Sequence, residues 1–348
     1  GQRSGPDLRH GFITLERPDM NKQIMMCGAA AGLLLLGACQ KGDGGGSNGI
    51  NPIRQLIEQN RAAAEQQSVV NAASGGQIFG SKGTIITLAP NAFRYDNGNV
   101  VNGNVTVKLL EAYDLGDMVW LNMRTVAQAG TQKVALQSGG EIRLRAEVNG
   151  EQVTVAPGLA QVFFPEDQFD PLMRAFLGAE DDDGDILWED AGELAQDTGV
   201  AMLDSIGGGG GGWIPGNFYN EPWPASNGFN DTWPDYAFMN CDHPLPPGGD
   251  STDVTILLPQ GTNDWSTSVW IVLPSINCMV YMEQYINGGV KAGMPVRIGL
   301  QGTIVALREE NGQYFSSFTP ITITDGMQQL IDLQPTTLAQ YQQQLQSL

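Results

Sequence analysis

Few residues in this chain could do covalent or acid–base chemistry. It holds two histidines and four cysteines in 348 residues. One histidine, His10, lies near the start; the other stands in Asn240-Cys241-Asp242-His243-Pro244. On an extended strand, residues two apart face the same way, so Cys241 and His243 have the spacing of a nucleophile–base dyad. The plainer reading pairs Cys241 with Cys278 in a disulfide and leaves His243 an ordinary surface residue. A zinc site from Cys241, His243 and Cys278 would need a close pair of ligands around Cys278, and there is none. The acidic stretch 179–190 can be tested as a calcium loop. Asp181, Asp183, Gly184 and Asp190 fit four of its positions, but Ala179 stands where the first acid belongs and no helix flanks it. The same residues read better as a hairpin turning at Asp183-Gly184. Six glycines, Gly207 to Gly212, are not followed by Gly-Lys-Ser/Thr, so they are no phosphate loop. Among 38 acidic residues no local pattern marks a glycosidase pair. No catalytic, metal-binding or cofactor-binding residue is predicted.

Modification chemistry is better signposted. An apolar run, Ile24 to Ala38, follows Met20 and Lys22, and it is short for a membrane span, which needs roughly 20 residues. A positive start, an apolar middle and small residues at the end make a secretory signal. Its last residues, Leu36-Gly37-Ala38-Cys39, resemble the lipobox of bacterial lipoproteins. In that family the cysteine sulfur receives a diacylglycerol, the signal is cut before it, and the new amino terminus is usually acylated. The resemblance implies a signal peptide over 20–38, a lipid on Cys39 and a glycine-rich tether over 39–50. Residues 1–19 precede the signal and are read as an extension that is not native. Acyl chains contribute roughly 0.8 kcal/mol per buried methylene, so they hold a protein on a membrane without a spanning segment.

Charge agrees with such an anchor. The chain carries −20; residues 1–38 contribute +1, leaving −21 from Cys39 onward. That surface repels phosphate backbones and anionic lipid headgroups, which argues against nucleic acid as a partner. In an oxidising compartment the remaining even pair, Cys241 and Cys278, is expected to form a disulfide closing a 38-residue loop.

The elements read as mainly β: two antiparallel β-sandwich domains with a short helix at each end. Asn51 and Pro52 suit an N-cap and first helical position, and Ile53, Leu56 and Ile57 share one face of a helix over 51–70. Strand-like runs follow, including 84–89, 104–112, 117–125, 141–148, 151–155 and 161–164. Asn97-Gly98, Asn102-Gly103 and Asn149-Gly150 supply tight turns. The opening of this region, residues 75–93, resembles the start of ZU5 domains: a glycine pair, two short strands about a turn, then Pro90 and Ala92-Phe93. That resemblance implies a β-sandwich interaction module, placed over 72–200. Some ZU5-containing proteins cut themselves at a His-Phe-Ser sequence, but His243 is followed by Pro244. After a helix-compatible patch at 191–196, the glycine- and aromatic-rich stretch 206–238 is expected to link to a second sandwich over 239–335. A closing helix over 336–348 has Thr337 as cap and Leu338, Tyr341 and Leu345 on one face. The layout is similar to uncharacterised lipoproteins of Bacteroidota.

The linker is dense in rings. Trp213, Trp223, Trp233 and Tyr236 sit among Pro, Asn and Gly without helical or strand period. Such side chains anchor interfaces, which makes this stretch the candidate partner surface, with inter-sandwich packing as the competing role. The functional expectation is a non-enzymatic, lipid-anchored protein of the cell envelope, at the outer membrane, whose sandwiches bind a protein or glycan. The alternative is an envelope hydrolase using a carboxylate or metal site. Replacing Cys39→Ala is expected to leave an unprocessed precursor and abolish acyl labelling; normal maturation of that variant would refute the lipid assignment.

Overall fold

Asn51 begins a helix because its side chain replaces a missing hydrogen-bond partner. The computed structural model describes residues 51–348 apart from 130, 157–158, 166–171, 181–183, 198–211, 216–236, 246–248 and 263. In it Asn51 Oδ1 accepts from the N–H groups of Ile53 (2.9 Å) and Arg54 (3.3 Å), opening the helix Pro52–Ala64. Ile53, Leu56 and Ile57 are buried, as their spacing predicts. The helix stops earlier than expected. Gln66–Asn71 is a strand paired with Asn104–Ala112. Glu65, at the junction, is held by Arg143 (3.2 Å) and Arg145, which fixes where the chain changes direction.

The fold is mainly β. One thirteen-stranded sheet carries the order Gln66–Asn71, Asn104–Ala112, Gln132–Val148, Ala237–Pro244, Arg174–Glu180, Ile186–Asp197, Gly212–Pro215, Ala160–Pro165, Ile85–Leu88 and Gly76–Phe79. Phe93–Arg94, Val126–Ala129 and Glu151–Val155 pair off that path. These strands enclose a first core, where Val105, Val107, Leu109, Ile142 and Leu144 meet Ile86, Val162 and Phe164. The turn between Gly76–Phe79 and Ile85–Leu88 closes over a carboxylate. Glu111 accepts from the N–H groups of Lys82 and Thr84, both at 3.1 Å. Any side chain at Gly80 would fall on that carboxylate.

Beyond it, Cys278–Tyr281, Thr267–Leu273, Gln301–Glu310, Gln313–Thr322 and Gln334–Thr336 form a five-stranded sheet. A four-stranded sheet comprises Gln284–Ile286, Gly289–Lys291, Thr255–Leu257 and Gln328–Leu330, and Ser251–Thr252 pairs with Val296–Arg297. Every residue of Thr267–Leu273 is buried. Val269, Ile271 and Leu273 face a third core against the four-stranded sheet. Trp270 and Val272 face a middle core shared with the helices and with Phe176, Trp188 and Phe238 of the large sheet. A strand covered on both faces reads as an uninterrupted apolar run, which "VWIVL" (269–273) is.

Several expectations are corrected. Residues 117–125 are not a strand; Leu115–Leu121 is a helix, capped by the Asp114 carboxylate on Asp117 N–H at 2.9 Å and closed by Asn122 at φ 48°. Residues 191–196 continue the strand Ile186–Asp197. Ala237–Pro244, expected to straddle a linker and the entry to a second sandwich, is an inner strand of the large sheet, between Gln132–Val148 and Arg174–Glu180. The described residues, from 51 onward, fall within one compact unit. Arg174–Glu180 and Ile186–Asp197 pair antiparallel with Glu180 opposite Ile186; Asp183, where the turn is expected, lies outside the described residues. Trp188 lies over Gly178, where a Cβ would meet its ring at 2.7 Å. The closing helix is Leu338–Leu345, with Thr337 and Gln340 in a reciprocal capping box and Tyr341 and Leu345 buried.

Asn122 bears on all of this, because its side chain donates to Asp185 (3.2 Å) and accepts from Trp270 Nε1 (2.9 Å). Asn122→Gly keeps the left-handed backbone and loses both bonds, at a cost of roughly 2 kcal/mol. Asn122→Ala is expected to cost about 1 kcal/mol more through backbone strain. Denaturant unfolding of both variants measures this, and an unchanged midpoint would contradict it.

Candidate functional site

Of the residues singled out in the sequence, the described ones do not converge on one site. Cys39 lies outside the described residues, as do Trp223, Trp233 and Tyr236. The backbone of Trp213 pairs with Gln196 and Phe164 in the large sheet. The expected Cys241–Cys278 disulfide is not formed. Alternation along Ala237–Pro244 directs Cys241 into the first core, while Cys278 belongs to the third, so the two sulfurs serve different interiors. Cys278 accepts a hydrogen bond from Thr125 Oγ1 at 3.1 Å. Burial pushes its thiol up to about 12, which makes it an inert packing residue rather than a nucleophile. Cys241 is fully buried and His243 partly exposed, so no accessible Cys–His dyad forms. Among the described residues no cluster of three His, Cys, Asp or Glu could hold a metal, and no helix is long and apolar enough to cross a membrane.

Two features take the place of those candidates. The first is a cleft of about 630 Å³ where the start of Gln132–Val148 faces the edge of the C-terminal sheets. Val134, Leu273, Ile276, Val280, Met294 and Leu300 make its walls aliphatic. Gln132, Gln284, Ser251 and Arg297 add polar groups. The one carboxylate among its described lining residues, Glu283, bonds Lys133 Nζ (2.5 Å) and Arg124 (2.6 Å). Burial pulls the Glu283 carboxyl upward, but the hydrogen bond from Lys133 and the charges of Arg124 and Lys133 outweigh it and hold it below the usual range. A carboxylate so paired is a poor proton carrier near neutral pH. Size and lining are those of a small-molecule or peptide-segment site.

The second feature is buried. Glu141, Asn240 and Asp242 lie on adjacent strands, with Glu141 directly opposite Asn240, and all three are wholly buried. Asn240 Nδ2 donates to Asp242 at 2.8 Å. Among the described residues, both oxygens of Glu141 and the amide oxygen of Asn240 have no hydrogen-bond partner. Burial, reinforced by Asp242 and opposed by Arg61, raises the Glu141 carboxyl well above its ordinary range. A neutral Glu141 also gains a donor for a neighbouring oxygen. Two carboxyls without a path to solvent at their own surface do not make a working acid–base pair, so this is a structural proton site.

The sequence carried little warning of either feature. Glu141 sits in "EIRLRAEV" at a position that alternation gives to the polar face, and the cleft gathers residues between 128 and 300. The one local signal for Leu115–Leu121 was Asp114 three residues before Asp117, a capping spacing followed by the helix terminator Asn122.

Searches with this chain found no matching protein-family model and no matching curated protein.

The raised Glu141 carboxyl sets a direction for pH dependence. Unfolded, it titrates near 4.3; folded, it keeps its proton to higher pH. Its contribution is therefore fully present below about pH 4.3 and is lost as pH rises toward the folded value. Glu141→Gln removes that loss, so its unfolding free energy is expected to exceed the parent's by a margin that widens from pH 4 to pH 8, on the order of 1–3 kcal/mol at the top. A margin independent of pH, measured calorimetrically, would contradict a neutral Glu141.

Proposed function

We propose that this chain is a non-enzymatic, lipid-anchored protein of the bacterial cell envelope, held at the outer membrane through Cys39, and that its cleft binds a protein or glycan partner. The anchor rests on the lipobox resemblance at 36–39 and the tether that follows. The ZU5 resemblance at 75–93 favours an interaction module. The observation that carries the binding role is the cleft itself. It offers aliphatic walls and hydrogen-bonding side chains, its described lining holds no histidine or cysteine, and the carboxylate among those residues, Glu283, is engaged by two cations. Such a lining suits holding a ligand better than hydrolysing one.

The test uses a photo-crosslinking amino acid in the full chain, expressed in a lipoprotein-exporting host. Placed at Gln284 in the cleft, it is expected to give a discrete adduct in the membrane fraction; placed at Asn97, on an exposed turn remote in sequence, it is not. Equal adducts from both positions, or cleavage of the captured partner, would overturn the reading.

A further inference from the structure

The charge bookkeeping of the described residues has one exception. In a chain of net charge −20, the cationic side chains are taken up internally: Lys82, Lys108, Arg124, Lys133, Arg174, Lys291 and Arg308 by carboxylates, and Arg94 by backbone carbonyls. Arg61, Arg143 and Arg145 meet Glu58, Glu180 and Glu65, and Arg54 also has a partner. Arg297 alone among them makes no side-chain hydrogen bond or ion pair, and it is exposed. It is held on the short strand Val296–Arg297 opposite Ser251, at the rim of the cleft. With so many acids on the same chain, a guanidinium left over at a cleft mouth stands where an incoming anion would meet it. A guanidinium suits a carboxylate, which it binds through two parallel N–H groups.

The rest of the cleft narrows what carries that carboxylate. Among the described residues no aromatic ring lines it, so these walls give a sugar face nothing to stack on. Leu273, Ile276, Val280 and Met294 suit a branched aliphatic side chain, and Met adapts its shape to the occupant. The strand Gln284–Ile286 runs alongside. It is exposed throughout, and it pairs only with Gly289–Lys291 among the described residues, so its outer edge offers backbone groups to an extended chain. We propose that the cleft captures the carboxyl terminus of a protein partner. Arg297 takes the terminal carboxylate, the aliphatic wall takes the last side chain, and Gln132 and Gln284 take peptide groups. The assignment rests on the cleft being the binding site and names what it binds.

The test titrates the full chain, labelled with ¹³C at the methionine methyls, against an acetylated tripeptide ending in Val-Leu as the free acid, the same peptide as the amide, and octanoate. Met294→Leu identifies the reporting signal inside the cleft. The free acid is expected to shift the Met294 methyl saturably and to bind about tenfold or more tighter than the amide. Arg297→Gln should bring the acid down to the amide's affinity without changing the amide's, and Arg297→Lys should fall between. Because Arg297 is exposed and makes no side-chain bond, these variants are expected to keep the parent's melting temperature. Acid and amide binding equally, with Met294 shifted by both, would overturn the carboxylate assignment while leaving the cleft a binding site. Octanoate binding tighter than the peptide acid would overturn the peptide in favour of a lipid acid. No shift of Met294 with any of the three would overturn the proposal, and the crosslink from Gln284 then judges the cleft separately.

Discussion

Five residues, Leu121 to Thr125, hold the molecule's separate parts together, because their polar groups find partners in three different regions of the chain. Arg61, from the first helix and wholly buried, donates through Nε to Leu121 O (2.7 Å) and through a terminal nitrogen to Asn122 O (3.1 Å). The Arg124 side chain reaches Ile186 O (2.6 Å) and Glu283, while Arg124 O accepts from the Trp188 indole. Thr125 exchanges hydrogen bonds with the backbone of Met279, its N–H donating to Met279 O at 3.1 Å and its hydroxyl accepting from Met279 N at 2.8 Å. Leaving buried partners of this kind unmet costs more than making them gains. The first helix, the Arg174–Asp197 region and the C-terminal sheets are therefore fixed relative to one short loop.

The middle core works with that loop. Trp270 and Tyr281 of the five-stranded sheet and Trp188 of the large sheet are large and buried, and both indoles donate to the loop, Trp270 through Asn122. Apolar area drives the layers together without direction; the indole N–H groups supply the direction. Asn277, at φ 40°, adds a second tie, donating to Ser138 O at 2.8 Å. The cleft with Arg297 lies along the same junction, which is why it combines walls from residues far apart in sequence.

Where the physics is local, the sequence was readable. Asn51-Pro52, the cap at Thr337 and the Asn149-Gly150 turn each state their geometry within four residues, and the turn takes positive φ at both positions. The alternation in "NVTVKLLEA" marked a strand with its ends in the right place. Leu115–Leu121 misled because Val119 and Trp120 favour strands, and the cap at Asp114 outweighed them. Pairing partners were not readable. Nothing in "AFMNCDHP" says that it enters a sheet between strands begun at 132 and 174, and that placement alone parts Cys241 from Cys278. The resemblances at 36–39 and 75–93 spoke to location and module type, and neither pointed to Arg297 or to Glu141.

That late insertion governs how the protein can be assembled. As the chain is made or threaded through a membrane from its amino end, Gln132–Val148 and Arg174–Glu180 emerge some sixty residues or more before Ala237–Pro244, the strand that joins them. Until it arrives, each presents an unpaired edge able to recruit the wrong strand or another copy. Pairings this distant in sequence are slow to form, so the exposed interval is long relative to local folding. In that interval the two open edges are the chain's most association-prone backbone, and the arrival of Ala237–Pro244 closes both at once.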